Sequence, residues 1–132
     1  MSARTRARRR ALELLFESEA RGIALGEIIA LRSDDPTYPM KEYAVEIVDG
    51  VAAHAEEIDE LIRTYARGWE LDRMPGVDRA LLRIATWEIL HNDAVDAPVA
   101  ISEARSLARE FSTDDSPAFI GGVLTKIADL GD

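Results

Sequence analysis

The chain has 132 residues, 47% of them hydrophobic and 31% charged, which predicts one soluble domain large enough to bury a core. It has no cysteine, which excludes disulfides and thiolate metal sites and fits a reducing, cytoplasmic setting. The net charge is −9, yet Arg4, Arg6, Arg8, Arg9 and Arg10 lie among the first ten residues without a single acid, so the body behind them is more acidic than the total.

Residues 3–21 are predicted as the first helix. Ala7, Ala11, Leu14 and Leu15 share its apolar face, widened by Leu12 and Phe16, while Arg6, Arg9 or Arg10, Glu13 and Glu17 fall opposite. The acids that interrupt this stretch argue against a signal or transit peptide. Cations in the first turns oppose the helix dipole, so helix stability does not explain them. A basic arm for a polyanion does, because arginine forks and free backbone N–H groups both suit phosphate. The plainer alternative is a solvated helix start that keeps the protein soluble.

A short second helix follows near Ala24–Leu31, and residues 32–39, with two prolines, Ser and Asp, read as a turn. From Met40 one apolar face runs through Tyr43, Ala44, Ile47, Val51, Ile58, Leu61, Ile62 and Tyr65, with Gly50 or His54–Ala55 as the place to bend or split. Gly68 to Gly76 connects to Val77–His91, the stretch around which the rest is organised. Asp78–Arg79, Arg83 and Thr86 break its surface, and most of its circumference is apolar. A helix apolar nearly all round must be surrounded by others, and this one is too short to span a membrane. After NDAVDAP, an amphipathic helix carries Val99, Ile101, Ala104, Leu107, Ala108 and Phe111. In the last helix Ser116 is the predicted N-cap and Pro117 the first helical residue, with Phe119, Ile120, Val123, Leu124 and Ile127 on the buried face. No strand pattern appears. The prediction is an all-α bundle of about seven helices in two subdomains, residues 1–67 and 69–132, around a central buried helix.

Catalysis finds little support. His54 and His91 lie on different predicted helices, and neither has a second ligand of the HExxH kind, so no metal, cofactor or catalytic residue is expected. Gly121–Gly122 lies within a helix and is no phosphate loop; it predicts close approach of a neighbouring helix. The arginine arm is the functional candidate, with Phe119 as an aromatic that could stack on a base, although a phenylalanine there also suits the core.

Three segments, VDRALLRIATWEILH, APVAISEARSLAREF and DDSPAFIGGVLTKI, together with RTRARRRALELLFE at the start and the Gly68–Trp69 pair, resemble the NusB family of bacterial transcription antitermination factors. The resemblance covers essentially the whole chain in order. It implies a non-enzymatic, seven-helix protein that binds the single-stranded boxA element of ribosomal RNA leaders together with NusE, a small-subunit ribosomal protein, and joins RNA polymerase. Carried onto matching positions, it implies RNA contacts at Arg4, Arg6, Arg8, Arg9, Arg83 and Phe119, and a partner-facing surface at Phe16, Asp78 and Arg79. The chain departs from the family at Ala118, usually Lys or Arg, and at Gly121, usually Asn, and each departure removes a group that could touch RNA. The alternatives are an accessory to ribosomal RNA processing and a homodimer or other homo-oligomer whose arginine arm packs in the subunit interface.

Overall fold

The computed structural model describes residues 2–130. Seven α-helices account for the architecture: α1 (Ala3–Arg21), α2 (Leu25–Ser33), α3 (Glu42–Ala53), α4 (Ala55–Tyr65), α5 (Gly76–His91), α6 (Ala97–Phe111) and α7 (Ser116–Asp129). A 3₁₀ turn, Leu71–Arg73, lies in the connection before α5, and no strand occurs among the described residues. None of these helices is long and apolar enough to cross a membrane.

The central position of α5 follows from its composition. It packs against α1, α3, α4, α6 and α7, and it buries Ala80, Leu81, Leu82, Ile84, Ala85 and Trp87. A helix that can bury most of its circumference gains more by being enclosed than by lying on the surface. The amphipathic helices supply the enclosure: Ile47 and Val48 from α3, Ile58 and Ile62 from α4, Leu107 and Ala108 from α6, and Ile120, Leu124 and Ile127 from α7.

The long apolar face of residues 40–66 divides at His54, which ends α3 and precedes α4. Gly50 does not break α3. It lies opposite the indole of Trp87, where an added Cβ would come within 2.0 Å of Nε1, so glycine there makes room for the central helix. Gly121 plays the comparable part in α7, with the side chain of Arg105 in α6 only 3.0 Å from where a Cβ would sit, whereas Gly122 faces open space.

Two sequence expectations are corrected. Asp115, not Ser116, occupies the N-cap of α7, and Ser116 is its first helical residue. The Ser116 hydroxyl is used elsewhere, donating to Asp78 of α5 at 2.8 Å. Thr86, expected on a polar stripe with Arg79 and Arg83, is fully buried.

Candidate nucleic-acid interface

The arginines of α1 begin a helix whose N-cap is Ser2, its hydroxyl accepting from the backbone N–H of Thr5 at 3.0 Å. Helical geometry then divides the run. Arg4 and Arg6 are exposed and Arg9 and Arg10 half-buried, but Arg8 turns inward to 3% exposure on the same face as Ala7 and Ala11. Arg8, expected to meet phosphate, is here occupied by the protein's own carboxylates.

Glu88 of α5, completely buried, accepts from Arg8 Nε at 3.0 Å through both oxygens. Arg8 Nη1 reaches Glu103 of α6 at 2.7 Å, and Thr5 Oγ1 bonds the same carboxylate. Tyr43 of α3 donates its hydroxyl to Glu88 at 2.5 Å and accepts from Asn92 at 2.9 Å. Burial alone would favour loss of the Arg8 proton, but the hydrogen bonds and charge of Glu88, with Glu103 behind it, outweigh burial and raise its pKa above the ordinary value. Burial, and then the bond to Glu88, push the Tyr43 phenol well above its usual range. Glu88 was not singled out by sequence, where it is a lone carboxylate in an otherwise apolar run; an acid on the buried face of the central helix was the signal that a cation must come to meet it.

Arg4 and Arg9 make contacts nearer the surface. Arg4 donates to the Ala94 carbonyl at 3.3 Å and sits over the Tyr43 ring at 5.4 Å. Arg9 pairs with Glu110 at 2.7 Å and covers the Phe111 ring at 5.2 Å. These are exposed or half-exposed contacts that a phosphate could replace at small cost.

Phe119, in the first turn of α7, is half-buried, and its ring meets Trp69 at 6.0 Å with the planes tilted by 50°. Trp69 is 49% exposed, and by sequence it belongs only to the Gly68–Trp69 family pair, with no sign that it faces Phe119. Together the two rings wall a recess that also contains Pro75, Asp78, Thr113 and Ser116.

Arg83 stands in a separate cluster. It holds Asp59 of α4 through Nε at 2.9 Å and Nη2 at 3.1 Å, and it reaches Glu19 of α1 at 3.3 Å. Arg79 also pairs with Glu19 and donates to the carbonyls of Leu71 and Met74 at 2.7 and 3.0 Å, fastening the 68–76 connection to α5. With 11% of its side chain exposed, it is a tether more than a contact surface. Asp78 is likewise turned inward, 3% exposed, accepting from Ser112 at 2.5 Å and from Ser116. Both residues expected on the partner-facing surface thus make their contacts within the chain. Phe16 does remain open, 47% exposed, in an apolar groove with Leu12, Val77 and Phe111.

The NusB family pattern matches residues 5–129. The chain is 51% identical to the transcription antitermination protein NusB of Beutenbergia cavernae, over 98% of this chain and 92% of that protein. To the same protein of Leifsonia xyli subsp. xyli it is 55% identical, over 97% and 92%. Among solved structures, NusB of T. maritima superposes with a TM-score of 0.85 at 34% identity, covering 98% of this chain and 92% of that one. A crystal structure of the antitermination factors NusB and NusE in complex with double-stranded RNA matches with a TM-score of 0.84 at 26% identity, covering 98% of each chain. On sequence and fold alike, this chain belongs to the NusB family.

Proposed function

We propose that this protein is a cytoplasmic, non-catalytic RNA-binding adaptor for transcription antitermination. It binds boxA-type single-stranded RNA of ribosomal RNA leaders together with a NusE-type ribosomal protein, and the complex joins RNA polymerase. The observation that carries this is the division of the arginine run. Arg4 and Arg6 are left at the surface, with Arg9 half-exposed beside them, while Arg8 is spent on holding α1 to the core. The complex of a structural relative with NusE and RNA supports the same reading.

Arg4, Arg6 and Arg9 hold phosphates in this proposal, and Phe119, with Trp69 beside it, offers a face to a base. Arg83 would reach RNA only by releasing Asp59, so its role is to position α4 against α5. The groove at Phe16 is the partner-docking surface, and a homodimer formed through it would compete with the partner. The whole chain acts as one module.

Replacing Arg4, Arg6 and Arg9 with Gln tests the arm. RNA binding weakens, and its log–log salt dependence flattens by about 0.7 for every phosphate of a single strand that is no longer neutralised. An unchanged salt slope would remove the arm from the interface. Sizing the protein with and without the NusE-type partner tests that competition, and sizing with and without boxA RNA asks the same of the RNA surface: RNA bound to monomer alone means that the RNA and homodimer surfaces exclude one another.

A further inference from the structure

The chain contains 2 histidines and no cysteine, so two imidazoles are its entire supply of nitrogen and sulfur metal ligands of that kind. Folding brings both to one carboxylate. His54, at the junction of α3 and α4, stacks on His91, the last residue of α5, with ring centroids 3.7 Å apart and planes within 14° of parallel. Glu57, in the first turn of α4, stands three residues after His54. Its Oε1 lies 2.5 Å from His91 Nε2 and 3.9 Å from His54 Nδ1. One ligand atom from each of the three groups falls within 4.8 Å of the other two.

We propose that His54, Glu57 and His91 bind a divalent transition-metal ion of the zinc class, with water completing the coordination. Two imidazoles and a carboxylate form a donor set suited to zinc, whereas calcium and magnesium demand several oxygens. Zinc–ligand bonds of about 2.0–2.2 Å place tetrahedral donors roughly 3.4 Å apart, close to the spacing here, and rotation that opens the ring stack would aim both imidazole lone pairs at one ion. Their exposure makes that movement cheap and leaves room for water: 41% for His54, 53% for Glu57 and 26% for His91. A hydrogen bond between Glu57 and His91 accounts for that pair. It does not account for His54, whose Nδ1 is turned to the same oxygen. The ion would pin the start of α4 to the end of α5, adding to the Asp59–Arg83 pair that already joins the two helices. Such binding stabilises the folded state because the unfolded chain has no assembled site.

The test uses the full chain without a histidine tag. Zinc chloride is titrated by calorimetry, thermal unfolding is followed with and without zinc, and cobalt(II) serves as a visible-absorption probe. The expected result is saturable binding of a single equivalent, a raised Tm and ligand-field bands from bound cobalt. His54→Gln, Glu57→Gln and His91→Gln should each weaken zinc binding by at least the ~10-fold that losing even an outer partner of a metal ligand costs. All three positions are partly exposed, and circular dichroism of the metal-free variants checks that they fold. Absence of saturable binding to the unaltered protein overturns the proposal. So does equal affinity in the unaltered protein and the His54→Gln/His91→Gln double variant, which would put the ion on surface carboxylates elsewhere.

Discussion

Arg8 and Arg4 are the same residue type one helical turn apart, and their surroundings make them different in kind. Arg8 neutralises a carboxylate that has no access to water, so truncating it strands the charge of Glu88 in the core. Arg8→Met is expected to destabilise the protein by about 3–5 kcal/mol, the usual cost of breaking a buried pair from one side. Arg4→Gln should stay within about 1 kcal/mol of the original. Urea unfolding of the two variants decides it, and equal midpoints would mean that Glu88 is not held as the structure has it. Phe119 poses the complementary question, since it packs on the core and meets an exposed Trp69. Phe119→Ala should cost RNA binding about 1–3 kcal/mol per stacked base. Its loss of stability should fall below the roughly 3–5 kcal/mol of a fully buried phenylalanine. Ala118→Lys, at an exposed position beside the ring, should tighten RNA binding by adding a cation. Unfolding of Phe119→Ala, or unchanged affinity in Ala118→Lys, would remove this end of α7 from the RNA site.

Arginine–carboxylate pairs recur between elements, and the one that joins α1 to α2 has a readable pH dependence. Glu17 of α1 accepts from Arg32 of α2 at 2.9 and 2.5 Å and from Arg21 at 2.8 Å. Those hydrogen bonds, from Arg32 first and Arg21 second, lower its pKa from the ordinary 4.5. A carboxylate whose folded pKa lies below its unfolded value stabilises the fold above the unfolded value and loses that contribution as pH falls through the folded one. Glu17→Gln should therefore be less stable than the unaltered protein at neutral pH, with the gap closing as the pH falls below 4.5 and through the lowered folded value. A gap independent of pH in thermal melts would assign the effect to packing.

For the whole molecule, charge sets the terms. The net charge of −9 is carried by a body that repels RNA, while the start of α1 presents Arg4 and Arg6 exposed and Arg9 and Arg10 partly so, with no acid among the first ten residues. A basic partner that covers acidic surface relieves that repulsion. A NusE-type ribosomal protein is expected to tighten the RNA complex by about 1–3 kcal/mol, the ordinary size of such coupling. RNA titrations with and without the partner measure it directly, and equal affinities would mean independent binding and no cooperative adaptor.

Periodicity within a single helix was enough to locate α1, α5 and α6 and to put α5 at the centre, because burial of a nearly all-apolar helix follows from its own composition. The sequence motifs likewise carried the family. What the sequence could not yield was the direction of individual polar side chains. Arg8, Asp78, Arg79 and Thr86 sit among residues that read as surface, yet each turns inward, because the groups that receive or enclose it come from distant segments: Glu88 and Glu103 for Arg8, Ser112 and Ser116 for Asp78, the 68–76 connection for Arg79. The meeting of His54 with His91 is of the same kind. Each lies at the end of its own helix, and only the packing of α4 against α5 determines that the two ends coincide at Glu57. Local pattern fixes which face of a helix is apolar, but a polar group's partner is a long-range contact, and that is decided only when the helices dock.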